Sequence, residues 1–218
     1  MHKVISADIF VYLDTVQFSK NGVQNRNQIK TPQGPLWLTI PVRQHLGTAL
    51  NEVEIADSKI VGKHWKTVGA NYAKTAGLNR WRCELEELFT SNYSRLVDVA
   101  IASTEWMLDK LGTKAQRIKA SELKQPEGSA SKLVASICKE LNATEYLTGT
   151  GSLAYMDKAD FGSCQIEVQT WQPFEYQQAD SKSEFAQNLS TLDLLLNCPD
   201  TAAALITAAG NWEPLTSQ

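Results

Sequence analysis

Short apolar runs alternate along this chain with longer segments in which apolar residues recur at helical spacing, and this alternation constrains the fold more than any other feature. Residues 9–13 (IFVYL) and 144–148 (TEYLT) are rich in the β-branched and aromatic side chains that favour strands. Between them, residues 97–111 carry apolar side chains at the period of a helix. Strands separated by helices indicate an α/β fold with a largely parallel sheet. We therefore predict a mostly parallel sheet flanked by helices.

A β-hairpin is predicted directly after the first strand. Residues 28–30 and 36–42 flank the sequence TPQGP, in which two prolines and a glycine provide turn chemistry. Residues 63–76 are predicted as a helix that Gly77 ends in the left-handed conformation. Helical elements are also predicted at the C-terminus, the first begun by a capping box of Ser190 and Asp193.

Composition excludes several classes of protein. A chain of 218 residues that is 43% hydrophobic, with no repeat or long linker, is expected to form a single domain over residues 1–218. A net charge of −3 offers no polycation to a nucleic-acid backbone. No apolar run approaches the roughly 20 residues that cross a bilayer, and the start is too short and polar for a secretory signal. We expect a cytoplasmic protein with no membrane partner.

The cysteines are expected to be reduced and mostly buried. They lie tens of residues apart, without a C-x-x-C motif or a nearby histidine pair, at Cys83, Cys138, Cys164 and Cys198. This spacing argues against a zinc site, and the sequence predicts no metal-ligating cluster.

Polar side chains follow the first predicted strand. Asp14 ends the strand, and Gln17, Lys20, Arg26 and Asn27 come next. Ligands of α/β sheets bind beyond the carboxyl ends of the strands. There Asp14 can hold a hydroxyl, an amine or Mg²⁺, while Lys20 and Arg26 can neutralise a phosphate or a carboxylate. The alternative is that Asp14 caps a turn and pairs with Arg26 as a structural brace.

A second candidate segment is the glycine-containing sequence TGTGS between a predicted strand and a predicted helix. Gly149 and Gly151 let a backbone approach a ligand closely, and a helix N-terminus presents N–H groups to an anion. The segment lacks the ending of a P-loop and the third glycine of a dinucleotide fingerprint. A tight turn with Ser152 as the helix N-cap explains the same residues equally well.

His64 is the histidine with the best candidate role. It lies on the helix predicted to carry Tyr72 and Lys74, and it can transfer protons there, although a lone helical histidine is more often structural. His2 is expected at a frayed terminus and His45 in a loop. No familiar hydrolase motif is present.

Four blocks of the sequence resemble the WbqC-like protein family. The sequence ADIFVYLDTVQFSKNGVQNRNQIKTPQGPLWLTIPV is similar to the family signature, in which a strand ending in Asp precedes V-Q-F, a Lys, R-N-x-I and a second strand. Three further blocks resemble later family segments in the same order, and together they cover nearly the whole chain: KHWKTVGANYAKTA, ATEYLTGTGSLAYMDKADF and LSTLDLLLNCP.

The resemblance implies a role in bacterial surface-polysaccharide (O-antigen, lipopolysaccharide) or secondary-metabolite biosynthesis. A glycyl transfer to an amino sugar has been proposed for the family, so the implied substrates are an amino sugar, an amino acid or a nucleotide donor, with enzymes of the pathway as partners. From their side-chain chemistry we expect catalytic roles for Asp14, Lys20, Arg26 and His64, which match the family pattern. We expect substrate binding by the other positions that match the family pattern, which are Gln17, Asn27, Tyr72, Lys74, Gly149, Gly151, Asp193 and Asn197.

This chain departs from the family pattern at its start, where relatives usually have an additional first strand, so that strand is expected to be missing. By analogy the remaining elements resemble Rossmann-like nucleotide-binding folds, which suggests a nucleotide with Mg²⁺ as the cofactor.

Two hypotheses follow. In the first, the protein is a transferase of aminoacyl, acyl or nucleotidyl groups. In the second, it is a noncatalytic partner in a polysaccharide-assembly complex, with exposed Trp and Tyr side chains as its contact face.

Overall fold

The computed structural model describes residues 1–20, 22–124, 126–179 and 184–216. Within these residues the strands are β1 (Ile9–Tyr12), β2 (Arg26–Thr31), β3 (Gly34–Thr39), β4 (Val42–Arg43), β5 (Glu54–Ile55), β6 (Gln116–Lys119), β7 (Glu145–Gly149), β8 (Gln165–Trp171) and β9 (Gly210–Pro214). The α-helices are α1 (His2–Ile5), α2 (Ile60–Tyr72), α3 (Ala76–Thr90), α4 (Leu96–Lys110), α5 (Ser131–Glu140), α6 (Thr191–Asn197) and α7 (Ala202–Ala209).

The chain divides into two compact units, each assembled from segments that are distant in sequence. The first unit comprises Met1–Leu13, Lys114–Phe174 and Ala204–Gln218. The second unit comprises Asp14–Thr113 and Glu175–Ala203. The expectation of a single domain stays a prediction.

The strands form small parallel and antiparallel sheets, which is a mixed α/β architecture. In the first unit β1 pairs with β6 in parallel, and β8 lies between β7, which is parallel to it, and β9, which is antiparallel. In the second unit β2 and β3 pair antiparallel, as do β4 and β5. The described strands are thus distributed over four sheets, whereas the sequence predicts one mostly parallel sheet. Among these antiparallel pairs, β2 and β3 are joined by a short turn, and such a turn cannot join parallel strands.

The hairpin of β2 and β3 confirms the turn prediction. Arg26 lies opposite Thr39 at its open end, and Thr31 lies opposite Gly34 at the turn. Gly34 adopts a φ of +107°, a conformation that favours glycine because it has no Cβ.

The first unit has a core to which α5 and β8 contribute, formed by Ala135, Cys138, Phe161 and Ile166. His2 is buried in this unit and not frayed, contrary to expectation, with only 4% of its surface exposed. Its ring stacks on Trp212 at a centroid distance of 5.2 Å, and Gln169 hydrogen-bonds to its Nδ1 at 2.8 Å. Aromatic stacking and this hydrogen bond hold α1 against β8 and β9.

The second unit has a core of Phe18, Val53, Ile55, Val61, Leu96 and Val99. The segment that follows β1 pairs with a later loop through backbone hydrogen bonds. Phe18 N donates to Thr48 O, Leu50 N donates to Val16 O and Asn51 N donates to Asp14 O, each at 2.9 Å. These bonds fix the backbone of residues 14–18, in which the first candidate site begins.

The predicted helical cap at Gly77 is wrong. Helix α2 ends at Tyr72, and Gly77 lies in α3 with its backbone outside the left-handed region. A Cβ built on Gly77 would lie 2.6 Å from both Leu195 O and Leu196 Cα. Glycine is therefore required here because α3 packs against the backbone of α6, and not because the chain turns.

Candidate functional site

Three of the predicted site residues, Arg26, Asn27 and His64, line one cavity of about 200 Å³ in the second unit. We call it the Arg26 cavity. Arg26 and Asn27 begin β2, and His64 lies near the start of α2. The open end of the hairpin is fixed by two hydrogen bonds, from Asn25 Nδ2 to Ile40 O at 2.9 Å and from Ile40 N to Asn25 O at 2.8 Å. The geometry of the strand ends therefore places the polar side chains at this cavity.

Arg26 is held by an aromatic neighbour on β3. Its guanidinium carbon lies 4.6 Å from the centroid of the Trp37 ring, and its Nε donates to Gly22 O at 3.3 Å. A guanidinium over an aromatic face is attracted by the negative charge density of the ring. Trp37 thus orients Arg26.

The opposite wall of the Arg26 cavity is largely apolar and comes from α3 and α4, where Leu85, Leu88, Phe89, Leu96 and Met107 line it. Burial lowers the pKa of His64 below its ordinary value of 6.5, and a hydrogen bond with the Thr39 backbone partly opposes the shift. The imidazole is therefore neutral at pH 7 and can accept a proton.

The size of the Arg26 cavity limits what it can contain. Pockets for drug-sized ligands have volumes of roughly 300 to 1,000 Å³. A volume of about 200 Å³ is below this range. The cavity is suited to a small group such as an aminoacyl or short acyl chain.

The other predicted catalytic residues do not line this cavity. The Asp14 side chain, which follows β1, is 3% exposed, and among the described residues it is not part of the lining. Lys20 is exposed, as is Gln17, whose backbone forms an isolated bridge with Ala49. The predicted roles of Asp14, Lys20 and Gln17 stay predictions.

Three predicted substrate-binding residues instead meet in a buried hydrogen-bond network. Tyr72 OH donates to Asp193 Oδ2 at 2.5 Å, and Asn197 Nδ2 donates to Asp193 Oδ1 at 3.2 Å. Tyr176, which sequence reasoning missed, donates its OH to Asp193 Oδ1 at 2.7 Å. Burial first, and the Asp193 charge second, raise the pKa of both tyrosines. The predicted capping box is half present, because the Ser190 side chain accepts from Leu192 N while the Asp193 carboxylate bonds to these tyrosines.

A second cavity of the same unit, about 510 Å³ in volume, is lined by Lys74 and Asn197 together with Lys30. We call it the Lys30 cavity. Lys30 was not predicted as a site residue, since in sequence it looks like an ordinary lysine of a hairpin strand.

Gly149 and Gly151 lie in the first unit. Gly149 ends β7, and Gly151 lies in a short 3-10 helix formed by Thr150–Tyr155. Ser152 is inside this helix and is not its N-cap, and its hydroxyl donates to Gly149 O at 2.8 Å. Neither glycine has a positive φ. Ligand binding by this segment stays a prediction.

The cysteines are free, and Cys138 alone among them is buried, whereas Cys83 is exposed. The expectation of mostly buried thiols is therefore wrong for Cys83, because it lies on an exposed face of α3. Within the described ranges, no group of three or more His, Cys, Asp or Glu side chains is close enough to hold a metal ion. No helix among the described residues combines the length and apolar composition needed to cross a bilayer.

Comparison with known proteins identifies the family. The family model described as WbqC-like protein family matches residues 1–204. The chain belongs to the WbqC-like protein family. A Mycobacterium tuberculosis protein described as uncharacterized is 30% identical to this WbqC-like protein over 203 residues, which covers 87% of the chain and 84% of that relative. No solved structure matches the chain.

Proposed function

We propose that this WbqC-like protein is a group transferase acting on a small-molecule precursor, such as an amino sugar, in bacterial surface-polysaccharide (O-antigen) or secondary-metabolite biosynthesis. The observation that carries the proposal is the cavity that Arg26, Asn27 and His64 line together. A cation, an amide and a neutral imidazole beside an apolar wall are suited to transfer between an anionic donor and an amine. The small volume favours an acyl or aminoacyl group, such as glycyl, over a nucleotidyl group.

In the proposed reaction the acceptor amine attacks the carbonyl carbon of the donor. A carbon–nitrogen bond forms, and the bond between that carbon and the leaving group breaks. His64 takes the proton that the nitrogen loses, because burial keeps its imidazole neutral. Arg26 binds the negative charge of the donor, and Asn27 offers an amide to the same ligand.

A Rossmann-like version of this proposal includes a nucleotide with Mg²⁺ as the cofactor. In that version Asp14 and Lys20 bind the cofactor. The parallel pairs β1 with β6 and β7 with β8 support that version. Only the acyl or aminoacyl group of the donor needs to enter the Arg26 cavity, so the proposed reaction assigns no role in this cavity to the nucleotide part of a donor.

The test compares ligand-induced shifts of the melting temperature among four proteins. The wild-type chain, Arg26→Ala, His64→Gln and the control Arg43→Ala are screened with glycine, a glycyl adenylate analogue, ATP and nucleotide sugars. Arg43 is a suitable control because it is an exposed arginine of the neighbouring strand β4. A ligand should stabilise the wild type, Arg43→Ala and His64→Gln, but not Arg26→Ala. With that donor and an amine acceptor, His64→Gln should then lose turnover by about 10² to 10⁴-fold.

Two outcomes contradict the proposal. Equal shifts in Arg26→Ala and the wild type would show that the ligand binds elsewhere. A large loss of melting temperature in Arg26→Ala without ligand would support the structural brace.

The noncatalytic alternative is favoured by one observation. Trp37 of β3 is 42% exposed, and aromatic side chains are enriched in contact surfaces. Two results together would support the noncatalytic alternative. A glycosyltransferase should copurify with the wild type and not with Trp37→Ala, and none of the screened ligands should shift the melting temperature.

A further inference from the structure

The Lys30 cavity contains a buried cation whose hydrogen-bond partners among the described residues are uncharged. The Lys30 side chain lies on β2, and the residue is only 3% exposed. Its Nζ donates to Gln178 Oε1 at 2.8 Å and to the backbone oxygen of Glu184 at 2.7 Å. An ammonium group has three N–H donors, and among the described residues these two acceptors account for two of them.

The described surroundings provide no counterion at contact distance. Within residues 1–20, 22–124, 126–179 and 184–216, no carboxylate lies within 4.0 Å of Lys30 Nζ. The buried carboxylate of Asp193 is already bonded to the hydroxyls of Tyr72 and Tyr176. Burying a charge is costly unless an opposite charge compensates for it, and a bound anion is one source of such a charge.

The lining of the cavity has the chemistry of an anion site. Its charged members among the described residues are Lys30 and the exposed Lys74, both cations. The first residue of α3, Ala76, also lines the cavity, and a helix N-terminus carries partial positive charge. Two lysines next to a helix start are suited to a phosphoryl group, which lysine binds as a point charge.

Two asparagines of the lining provide acceptors for hydroxyl groups. Asn71 Nδ2 donates to Thr67 O at 2.8 Å, and Asn197 Nδ2 donates to Asp193 O at the same distance. Because the NH₂ group of each is engaged within the protein, its side-chain oxygen is the atom that can accept from a ligand. The volume of about 510 Å³ is within the range of small-molecule sites, roughly 300 to 1,000 Å³.

We propose that the Lys30 cavity binds the phosphoryl group of a phosphorylated, hydroxyl-bearing small molecule, with Lys30 and Lys74 neutralising the phosphoryl charge and Asn71 and Asn197 accepting from ligand hydroxyls. The site does not depend on the proposed transferase function, because Arg26, Asn27 and His64 are not part of its lining. If no phosphorylated ligand binds to the Lys30 cavity, the proposal for the Arg26 cavity is unaffected.

The test is isothermal titration calorimetry of the full chain in a phosphate-free buffer of low ionic strength. The probes are inorganic phosphate, ribose phosphate and unphosphorylated ribose. Ribose phosphate should bind, inorganic phosphate should bind more weakly, and ribose should not bind. Binding of inorganic phosphate as tight as that of ribose phosphate would overturn the assignment of the asparagines, and absence of binding by both would overturn the site.

Three variants locate the binding. Lys74→Ala should weaken ribose phosphate by about tenfold, as expected for one partly exposed charge contact. Lys30→Met should abolish the binding of ribose phosphate. If Lys30→Met fails to fold, the affinity of Lys74→Ala still tests the site, because Lys74 is exposed and its replacement should leave the fold intact. Lys66→Ala, a control on the exposed face of α2, should leave the affinity unchanged. An equal loss in Lys66→Ala and Lys74→Ala would overturn the proposal, because it would indicate general attraction to surface lysines.

Discussion

The hydroxyl group of Tyr72 donates a 2.5 Å hydrogen bond to Oδ2 of Asp193, which lies 121 positions later in the chain. Both residues are 0% exposed. The Tyr72 oxygen also accepts from Lys30 N at 2.9 Å, so one hydroxyl connects α2, α6 and the β2–β3 hairpin. Because α2 and β2 also carry His64 and Arg26, this network supports the elements that form the Arg26 cavity.

Replacing Tyr72 with Phe should destabilise the protein by about 1–3 kcal/mol, because it leaves Asp193 Oδ2 and Lys30 N without this partner in a buried environment. Urea unfolding monitored by circular dichroism measures the change. Tyr93→Phe is the matched control, since the Tyr93 hydroxyl donates a partly buried hydrogen bond to Leu88 O at 3.0 Å and has no contact with Asp193 among its described hydrogen bonds. Equal losses in the two variants would contradict a special role for the Asp193 network.

Stability should fall at alkaline pH because of the same tyrosines. Burial, and then the Asp193 charge, raise the pKa of Tyr72 and Tyr176 above the ordinary value of 10.0. Above pH 10 the unfolded chain loses these protons while the folded protein keeps them. The free energy of unfolding is therefore fully maintained below about pH 10 and decreases above it, by about 1.4 kcal/mol per pH unit for each tyrosine. Urea unfolding as a function of pH should give a shallower slope for Tyr72→Phe than for the wild type.

Local sequence signals predicted the elements whose causes are local. The apolar run that became β1 and the turn residues of the β2–β3 hairpin were identified correctly. Helix α3 was missed because charged residues obscure its period, although Leu78, Trp81 and Leu85 are buried at helical spacing. The role of Gly77 was misinterpreted because only glycine fits at this position against the backbone of α6, and α6 is more than a hundred residues away in the sequence.

The sequence also predicted part of the candidate site. Arg26, Asn27 and His64 do line one cavity, and the signal was the clustering of polar residues near strand ends. Lys30 gave no signal, since its burial depends on Gln178 and Glu184, which are 148 and 154 positions away. Contacts of this kind depend on the tertiary fold, and no local pattern specifies them.

Replacing Gly77 with Ala should destabilise the protein by about 1–3 kcal/mol, because the new Cβ would overlap the backbone of Leu195 and Leu196 and force α3 away from α6. Gly69→Ala is the matched control within α2, where a Cβ would meet no atom within 4 Å. Alanine in an open helical position stabilises by about 0.5–1 kcal/mol. The two substitutions should therefore change the melting temperature in opposite directions, and an unchanged or raised melting temperature in Gly77→Ala would contradict the close packing at Gly77.

Alkylation should distinguish the cysteines. Burial first, and the neighbouring Cys164 second, raise the pKa of Cys138 to about 12. At about pH 8 only about one Cys138 thiol in ten thousand is then ionised, and the thiolate is the reactive form. Iodoacetamide followed by mass spectrometry should label the exposed Cys83 first and Cys138 only after unfolding. The fast phase should disappear in Cys83→Ser. Rapid labelling of Cys138 in the folded protein would contradict its burial in the core.

Acidification should test the state of His64. Burial lowers its pKa below the ordinary value of 6.5, whereas in the unfolded chain the imidazole binds its proton near that value. Between the two pKa values the unfolded state binds more protons, so the free energy of unfolding decreases as the pH falls below about 6.5. His64→Gln should reduce this dependence. It should not abolish it, because burial also lowers the pKa of His2. An NMR titration of the His64 ring measures the pKa directly, and a midpoint at or above 6.5 would mean that the ring is solvated and would remove the argument for His64 as the proton acceptor.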